Sequence, residues 1–455
     1  MNAEPTLPAR IESQPSKDNE FQARKTLQLS ATIRALRHRN FQLFFSGQLI
    51  SLVGTWMQTV AEAWLVYRLT GSSLLLGAAG FASQFPVFLV APIGGIVADR
   101  YNRQRIVIAT QIASMILAFI LAVLTLTGIV RVWHIFVLAA LLGVVNAFAI
   151  PGRQSFLVDM VGKEDLMNAI ALNSSMFNGA RVIGPTIAGI LVARIGEGWC
   201  FFANALSYIA VIVGLFLMRV NLRPYTDHGV SPLAHIVEGF RFVSATVPIR
   251  AILLLLGLVS LVAMPYTVLM PVFAHQVLHG GARELGILMG ATGVGALLGA
   301  LTLAARTGVR GLGRWVAFSC GAFGVSLILF SLSRTFWLST VLLLPVGFFM
   351  MLQMSSSNTL IQAMVPDHLR GRVMAAYSMM FMGMAPFGAF FAGALANRLG
   401  APITVSLGAV AAVGGAFLFG MRLPQIRVEA RRLIVAQAVA GGEPATAMTA
   451  RAVED

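Results

Sequence analysis

Residues 160–189 read MVGKEDLMNAIALNSSMFNGARVIGPTIAG, and residues 364–393, a constant 204 positions further on, read MVPDHLRGRVMAAYSMMFMGMAPFGAFFAG. Met160, Val161, Ala171, Ser174, Met176, Phe177, Gly179, Gly184 and Gly189 fall on Met364, Val365, Ala375, Ser378, Met380, Phe381, Gly383, Gly388 and Gly393. The chain is an internal duplication. Small residues in an apolar segment fix where helix backbones approach, so a repeated glycine ladder implies a repeated packing scaffold. The same shift carries Gly95 onto Gly299 and Asp99 onto Leu303.

The surrounding composition sets the solvent. Of 455 residues, 57% are hydrophobic and 11% charged, with a mean hydropathy of +0.79, which excludes a soluble chain. The apolar residues fall into twelve runs, near 43–67, 74–97, 106–128, 133–150, 168–193, 199–218, 251–275, 285–305, 314–332, 336–357, 373–396 and 402–421. Many approach the roughly 20 residues of a bilayer-spanning helix. The expectation is an all-α membrane protein of twelve transmembrane helices in two six-helix repeats, seated in a lipid bilayer. Its organisation reads as a tail over 1–40, a bundle over 41–218, a connector over 219–250, a second bundle over 251–421 and a tail over 422–455. The end segments 1–35 and 423–455 are polar and lack strong periodicity, so they are expected to be mobile. Six is even, so both halves enter from one side and are related by an axis along the membrane normal, leaving a cavity between them.

Lys and Arg set the orientation, because short loops rich in them stay in the cytoplasm. One side collects Arg10, Lys17, Arg24, Lys25, Arg34, Arg37 and Arg39, then Arg100, Arg103, Arg105, Arg153, Lys163, Arg219, Arg223, Arg241 and Arg250. Arg306, Arg310, Arg314, Arg370, Arg372 and the C-terminal tail continue it, while the other side holds Arg68, Arg131, Arg194, Arg283, Arg334 and Arg398. Both termini are therefore expected in the cytoplasm, in a multi-pass inner-membrane protein acting as a monomer. Topology accounts for most of the net charge of +15, and scattered loop arginines do not make a nucleic-acid face. No signal peptide is visible, and Cys200 and Cys320 fall in or beside separate spans as packing residues rather than a disulfide framework. No phosphate-cradling loop, nucleophile elbow or metal-ligand spacing of the seven histidines is present, so the reading is no enzyme, no cofactor and no metal.

The loop after the second run reads Gly95-Ile96-Val97-Ala98-Asp99-Arg100-Tyr101-Asn102-Arg103-Gln104-Arg105. An aspartate at a helix end beside three arginines suits a charge-assisted latch, or alternatively a solvated topology determinant. This loop resembles the signature loop of the major facilitator superfamily, in which it acts as a gating latch between the halves. The resemblance implies that role for Gly95, Asp99, Arg100, Arg103 and Arg105. Asn102 stands where that family usually has glycine; asparagine tolerates a left-handed backbone, so a tight turn is expected to survive. The second half lacks the acid, and Arg370-Gly371-Arg372 offers candidate partners for Asp99.

Gly179, Gly184, Pro185 and Gly189 in the fifth run loosely resemble the glycine-proline motif of superfamily exporters, read as close packing and a bend. Pro151 to Phe156, Asn168 to Ser174, Gly54 to Gln58 and Trp64 to Ser72 narrow the resemblance to the enterobactin-exporter and transmembrane-secretion branch, which neighbours macrolide-efflux proteins. It spans roughly residues 35–421 and implies export of a small molecule.

Gln48, Ser51, Thr55, Gln58 and Glu62 follow steps of three and four along the first run and share one helix face, with Thr59 beside them. Such a stripe lines a water-filled cavity or bonds to neighbouring helices; an ionisable group within a span points to the first. Glu62 is read as the sole intramembrane carboxylate, roughly 10 Å outward of mid-helix by the helical rise, where a plainer role is an outer-mouth charge. Arg181, with Ser174, Asn178 and Pro185 on its face, is either substrate-facing, for an anionic ligand, or a structural pin. Trp56, Gln84, Asn146, Tyr266 and Gln353 with Ser357 are secondary candidates. With no ATP site, the expected drive is an ion gradient, with the proton as coupling ion through Glu62. The sequence thus predicts a secondary exporter whose two halves rock about the cavity, with uptake symport and a transport-inactive sensor of the same fold as alternatives.

Overall fold

The computed structural model describes residues 34–162, 164–219, 240–306, 308–309 and 311–440, with the side chains of Asp99, Asp367, His368 and 438–440 excepted. Twelve of its helices are long and apolar enough to cross a membrane. They are α1 (Arg39–Thr70), α2 (Ser73–Arg100), α3 (Arg103–Leu126), α4 (Val132–Val161), α5 (Leu166–Ile195) and α6 (Glu197–Phe216) in the first half. The second half has α7 (Val247–Val277), α8 (Ala282–Ala304), α9 (Leu312–Leu332), α10 (Phe336–Met364), α11 (Leu369–Leu399) and α12 (Ala401–Ala440).

The packing order repeats. α1 lies against α5 and α6, α4 against α2 and α3, and α3 against α6; in the second half α7 lies against α11 and α12, α10 against α8 and α9, and α9 against α12. The halves meet along two seams, α5 on α8 and α2 on α11, which exchange under a two-fold rotation. Gly196 (φ 88°) and Gly400 (φ 84°), 204 positions apart, each make the single-residue link between the last two helices of a half. Only glycine adopts that backbone without strain.

Backbone approach at the seams identifies which face is shut. A Cβ on Gly189 would lie 2.9 Å from the Cα of Gly286, and one on Gly77 would lie 2.9 Å from the Cα of Gly393. All four residues sit near the face that carries the α1–α2 turn, called here the far face; the chain enters α1 from the opposite, near face. Trp64 and Tyr67 of α1 add ring contacts to His275 of α7, at 6.2 and 5.7 Å, at the same level. The far face is closed.

Several details differ from the expectation. The fourth run does not stop at 150: α4 continues through Pro151 to Val161. Proline there costs one backbone bond, to the Ala147 carbonyl, and Gly94 of α2 packs against that carbonyl. Arg153 is therefore inside a spanning helix rather than in a loop, and so is Asp159. α12 runs to Ala440, so the first part of the segment expected to be mobile is helix.

The constant shift of 204 also fails for α2 and α8. Gly143 on α4 abuts the Ser83 carbonyl, and its counterpart Gly347 on α10 abuts Thr292, which is 209 residues beyond Ser83. Gly77 and Gly286 are likewise 209 apart. The five missing residues come out of α9 and the short turn after it. Gly95 and Gly299 are not equivalent: no atom lies within 4 Å of a Cβ on Gly95, whereas one on Gly299 would meet the Phe348 carbonyl at 2.5 Å.

The halves differ in continuity. α1 and α5 are unbroken, but α7 changes from α to π geometry at Val259–Ala263, to a 3-10 turn at Met264–Thr267 and to π again at Phe273–Val277. Pro265 and Pro271 lack the donors that an α-helix needs there. α11 likewise pauses at Gly383, two helical pieces meeting near mid-span.

Candidate functional site

Arg181 lies midway along α5. Gly184, one turn on, lets α1 come so close that a Cβ there would fall 2.5 Å from the Trp56 Cβ and 2.9 Å from the Val53 carbonyl. That approach sets the Trp56 ring 5.7 Å from the Arg181 guanidinium carbon, with the Phe177 ring 5.6 Å away edge-on. From the second half, Met350 of α10 offers its sulfur to Arg181 Nη2 at 3.9 Å, and Tyr266 of α7 lies within electrostatic reach. Neighbours on α1, α7 and α10 mean that the half-buried guanidinium points between the halves and not to lipid. Among the described residues no carboxylate pairs with it. A charge at this depth needs water or a ligand.

The polar stripe of α1 is on the opposite side of that helix. Gln58 accepts a 2.6 Å bond from Asn204 Nδ2 of α6, Asn204 Oδ1 accepts from Ser207 at 3.1 Å, and Thr55 lies 3.5 Å from the Tyr208 hydroxyl. Glu62 shares a small crevice with Gln58, lined by Leu117 and Leu121 of α3 and Leu138, Ala139 and Leu142 of α4. Gln58 and Glu62 therefore face the interior of the first bundle, and Thr55 faces α6, not the cleft. This corrects the expected cavity-lining role: the residues of α1 that look toward the other half are Trp56, beside Arg181, and Trp64, against His275 of α7. Glu62 also has company, since Asp159 belongs to a span and pairs with Arg103 at 3.1 Å.

The near-face loop is organised within the first half. Asn102 has φ −59°, not the expected left-handed turn, and its side chain accepts from the Arg105 amide at 3.2 Å as the N-cap of α3. Arg103 donates to Asp159 and to the Ser155 carbonyl of α4, so it braces its own bundle and is not a latch to the other half. Arg100 and Arg105 are exposed, and the Asp99 side chain lies outside the described residues.

Other expected positions separate. Asn178 is buried and donates to the Ser174 carbonyl at 2.9 Å. Pro185 and Gly189 serve the α8 seam, Gly184 serves α1, but Gly179 meets no atom within 4 Å of its Cβ position and is not a packing glycine. Gln353 is 1% exposed, and both its amide atoms, with the hydroxyls of Ser356 and Ser357, lack hydrogen-bond partners inside the second bundle. Gln84 and Asn146 are half-buried. Asn204, Ser207 and Tyr208, at spacings of three and four on α6, form a polar stripe of their own. Asp159 lies beyond Pro151, a residue that ordinarily ends a helix, and belongs to α4 only because the helix continues through it.

Two six-helix halves around a cleft, joined at two exchanged seams, define a major facilitator transporter; the chain carries solutes and is not an enzyme. It matches the family described as transmembrane secretion effector over residues 30–442, and it belongs to that family. It is 28% identical over 367 residues to the staphyloferrin A transporter of Staphylococcus aureus (strain NCTC 8325 / PS 47), covering 80% of this chain and 91% of that one. It is 27% identical over 400 residues to the enterobactin exporter EntS of Shigella boydii serotype 4 (strain Sb227), covering 87% and 93%. Among solved structures, a mutant of the nucleoside transporter NupG superposes with a TM-score of 0.67 at 14% identity, covering 85% of this chain and 99% of that one, a likeness of fold.

Proposed function

We propose that the protein is a proton-coupled exporter of a small, siderophore-like molecule, working by alternating access in the cytoplasmic membrane. The observation that carries this reading is the closed far face above a cation held between the halves, in a chain whose relatives include an enterobactin exporter. The near face is cytoplasmic, as its load of arginine requires. A cysteine placed at Ser231 in the connector is then unreachable by an impermeant label in intact cells; labelling from outside would reverse the orientation. Opening the far face separates Gly189 from Gly286 and Gly77 from Gly393 together, because the seams share one axis.

Proton and solute occupy different places in this scheme. Glu62 carries the proton inside the first bundle, behind α1, while the solute occupies the cleft before it. α1 therefore transmits between them: Gln58 and Trp56, two residues apart, face the two sites. Protonated Glu62 has no charge to hold in its leucine-lined crevice, and the ionised form requires water or rearrangement of Gln58 and Asn204. The chain acts as a monomer, since its cleft is complete within one copy. The test compares the secreted small molecules of cells with and without the protein. Depletion of an external compound and its build-up inside is the expected consequence of losing it, and an unchanged exometabolome under all conditions of expression would sink the export reading.

A further inference from the structure

We infer that the cleft holds a binding site for the anionic group of an aromatic solute, built from Arg181 and Tyr266 with Trp56 and Phe177 as its wall; this rests on the export reading above. Three observations converge. Arg181 bears a full charge at mid-span, and the protein partners it has are a thioether sulfur and the face of an indole, neither of which returns a negative charge. Its planar fork of donors is shaped for two oxygens of one carboxylate or catecholate. Tyr266 is 2% exposed and its hydroxyl has no hydrogen-bond partner. The neighbouring Thr292 hydroxyl donates to the Leu288 carbonyl at 3.1 Å, so toward the phenol it acts only as an acceptor.

Tyr266 also lies in the 3-10 turn between the two π segments of α7, where the helix departs from regular geometry beside the cleft. Such departures re-aim side chains and concentrate at functional sites. Two carboxylates of the first half are turned elsewhere: Glu62 faces α3 and α4, and Asp159 is held by Arg103. A cationic solute would meet uncompensated repulsion, and a neutral one would leave the guanidinium desolvated without return. An anion returns a negative charge to Arg181, and Tyr266, within electrostatic reach, has a hydroxyl proton to offer it. The edge-to-face pair of Trp56 and Phe177, with the Met350 sulfur opposite, supplies polarizable surface for an attached ring.

The site takes Arg181, Trp56 and Phe177 from one half and Tyr266 and Met350 from the other. The solute anion is thus a bridge between halves, and its binding favours the state in which α5 and α7 are drawn together.

The test uses the full-length protein in nanodiscs with four probes: 2-naphthoate, its neutral isostere 2-naphthamide, the cation 2-naphthylmethylammonium and the ring-saturated anion decahydro-2-naphthoate. Saturable binding is followed by calorimetry and thermal stabilisation. Naphthoate is expected to bind roughly tenfold or more tightly than naphthamide, with the cation weaker still and the saturated anion intermediate. Arg181→Gln should remove the preference for naphthoate over naphthamide, and Arg181→Lys should keep part of it. Tyr266→Phe, which deletes one oxygen and leaves the ring to pack, should weaken naphthoate about three- to tenfold and leave naphthamide nearly unchanged. It serves where Arg181→Gln fails to fold. Equal affinity for naphthoate and naphthamide, or no saturable naphthoate binding, overturns the site. So does an unchanged naphthoate affinity in both Arg181→Gln and Tyr266→Phe. These results leave export untouched: naphthoate binding without any secreted solute would defeat the export reading, and export without naphthoate binding would defeat this one.

Discussion

Gly189 and Gly286 face each other backbone to backbone across the α5–α8 seam, and Gly77 and Gly393 repeat the meeting across the α2–α11 seam. Neither seam has room for a side chain, so the far face closes only because all four positions lack one. Gly189→Val should insert and fold but hold that face apart, as overpacking of about 1–3 kcal/mol falls on the closed state alone. With Cys200 and Cys320 replaced, a reporter cysteine at Met350 should be labelled from outside roughly five- to 150-fold faster. An unchanged labelling rate would show that the seam yields elsewhere.

The proton scheme is tested at Glu62. Glu62→Gln fixes the neutral form in the crevice beside Gln58 and Leu121. The variant should exchange solute down its gradient at near-normal rate, while its accumulation ratio under an imposed proton gradient falls to about one, the uncoupled limit. Continued pumping against a gradient would move coupling to another group and leave Glu62 as a partner of Gln58.

Asn102 separates a cap from a left-handed turn. As the N-cap of α3, replacement by alanine should lower stability by about 1 kcal/mol, by glycine only a few tenths, and by aspartate little. Thermal unfolding midpoints of the purified variants give the order. A glycine variant more stable than the parent would favour the left-handed turn that the loop's signature suggests.

A strap on the near face has a defined response to acid. The turn Arg34–Arg37 is tied to the start of α5 by Asp165, which takes bonds from His38 Nε2 at 2.8 Å and from Arg34, and by the Ala35 amide on Asn168 at 2.8 Å. His38, then Arg34, hold the Asp165 carboxyl below its ordinary value of 3.8. A depressed carboxylate stabilises the tied form fully above that value and loses this as pH falls through its lower value in the folded protein. The protection of the Ala35 amide against hydrogen exchange, the intrinsic rate over the observed rate at each pH, should therefore be high above pH 3.8 and fall below it. Asp165→Asn should be faster throughout, and equal rates in the two proteins would detach the strap from Asp165.

Much of this is legible in the amino-acid sequence alone. The glycine ladder around 184 and 189, repeated at 388 and 393, announced the duplicated scaffold, and hydropathy placed twelve helices, because the bilayer leaves a backbone few ways to satisfy its own polar groups. Arg181 at mid-span stood out for the same reason: a charge in apolar surroundings is costly wherever it points. The tertiary structure decided direction. A period of 3.6 residues puts Gln48, Ser51, Thr55, Gln58 and Glu62 on one face of α1 without saying what that face meets, and only the packing of α6, α3 and α4 turned it inward, away from the cleft. It also decided that Arg103 braces Asp159, that Asn102 caps a helix, and that the buried Tyr266 of the other half lies within electrostatic reach of Arg181. Those contacts join positions far apart in sequence, and their geometry depends on how close two backbones come, which a one-dimensional pattern does not encode.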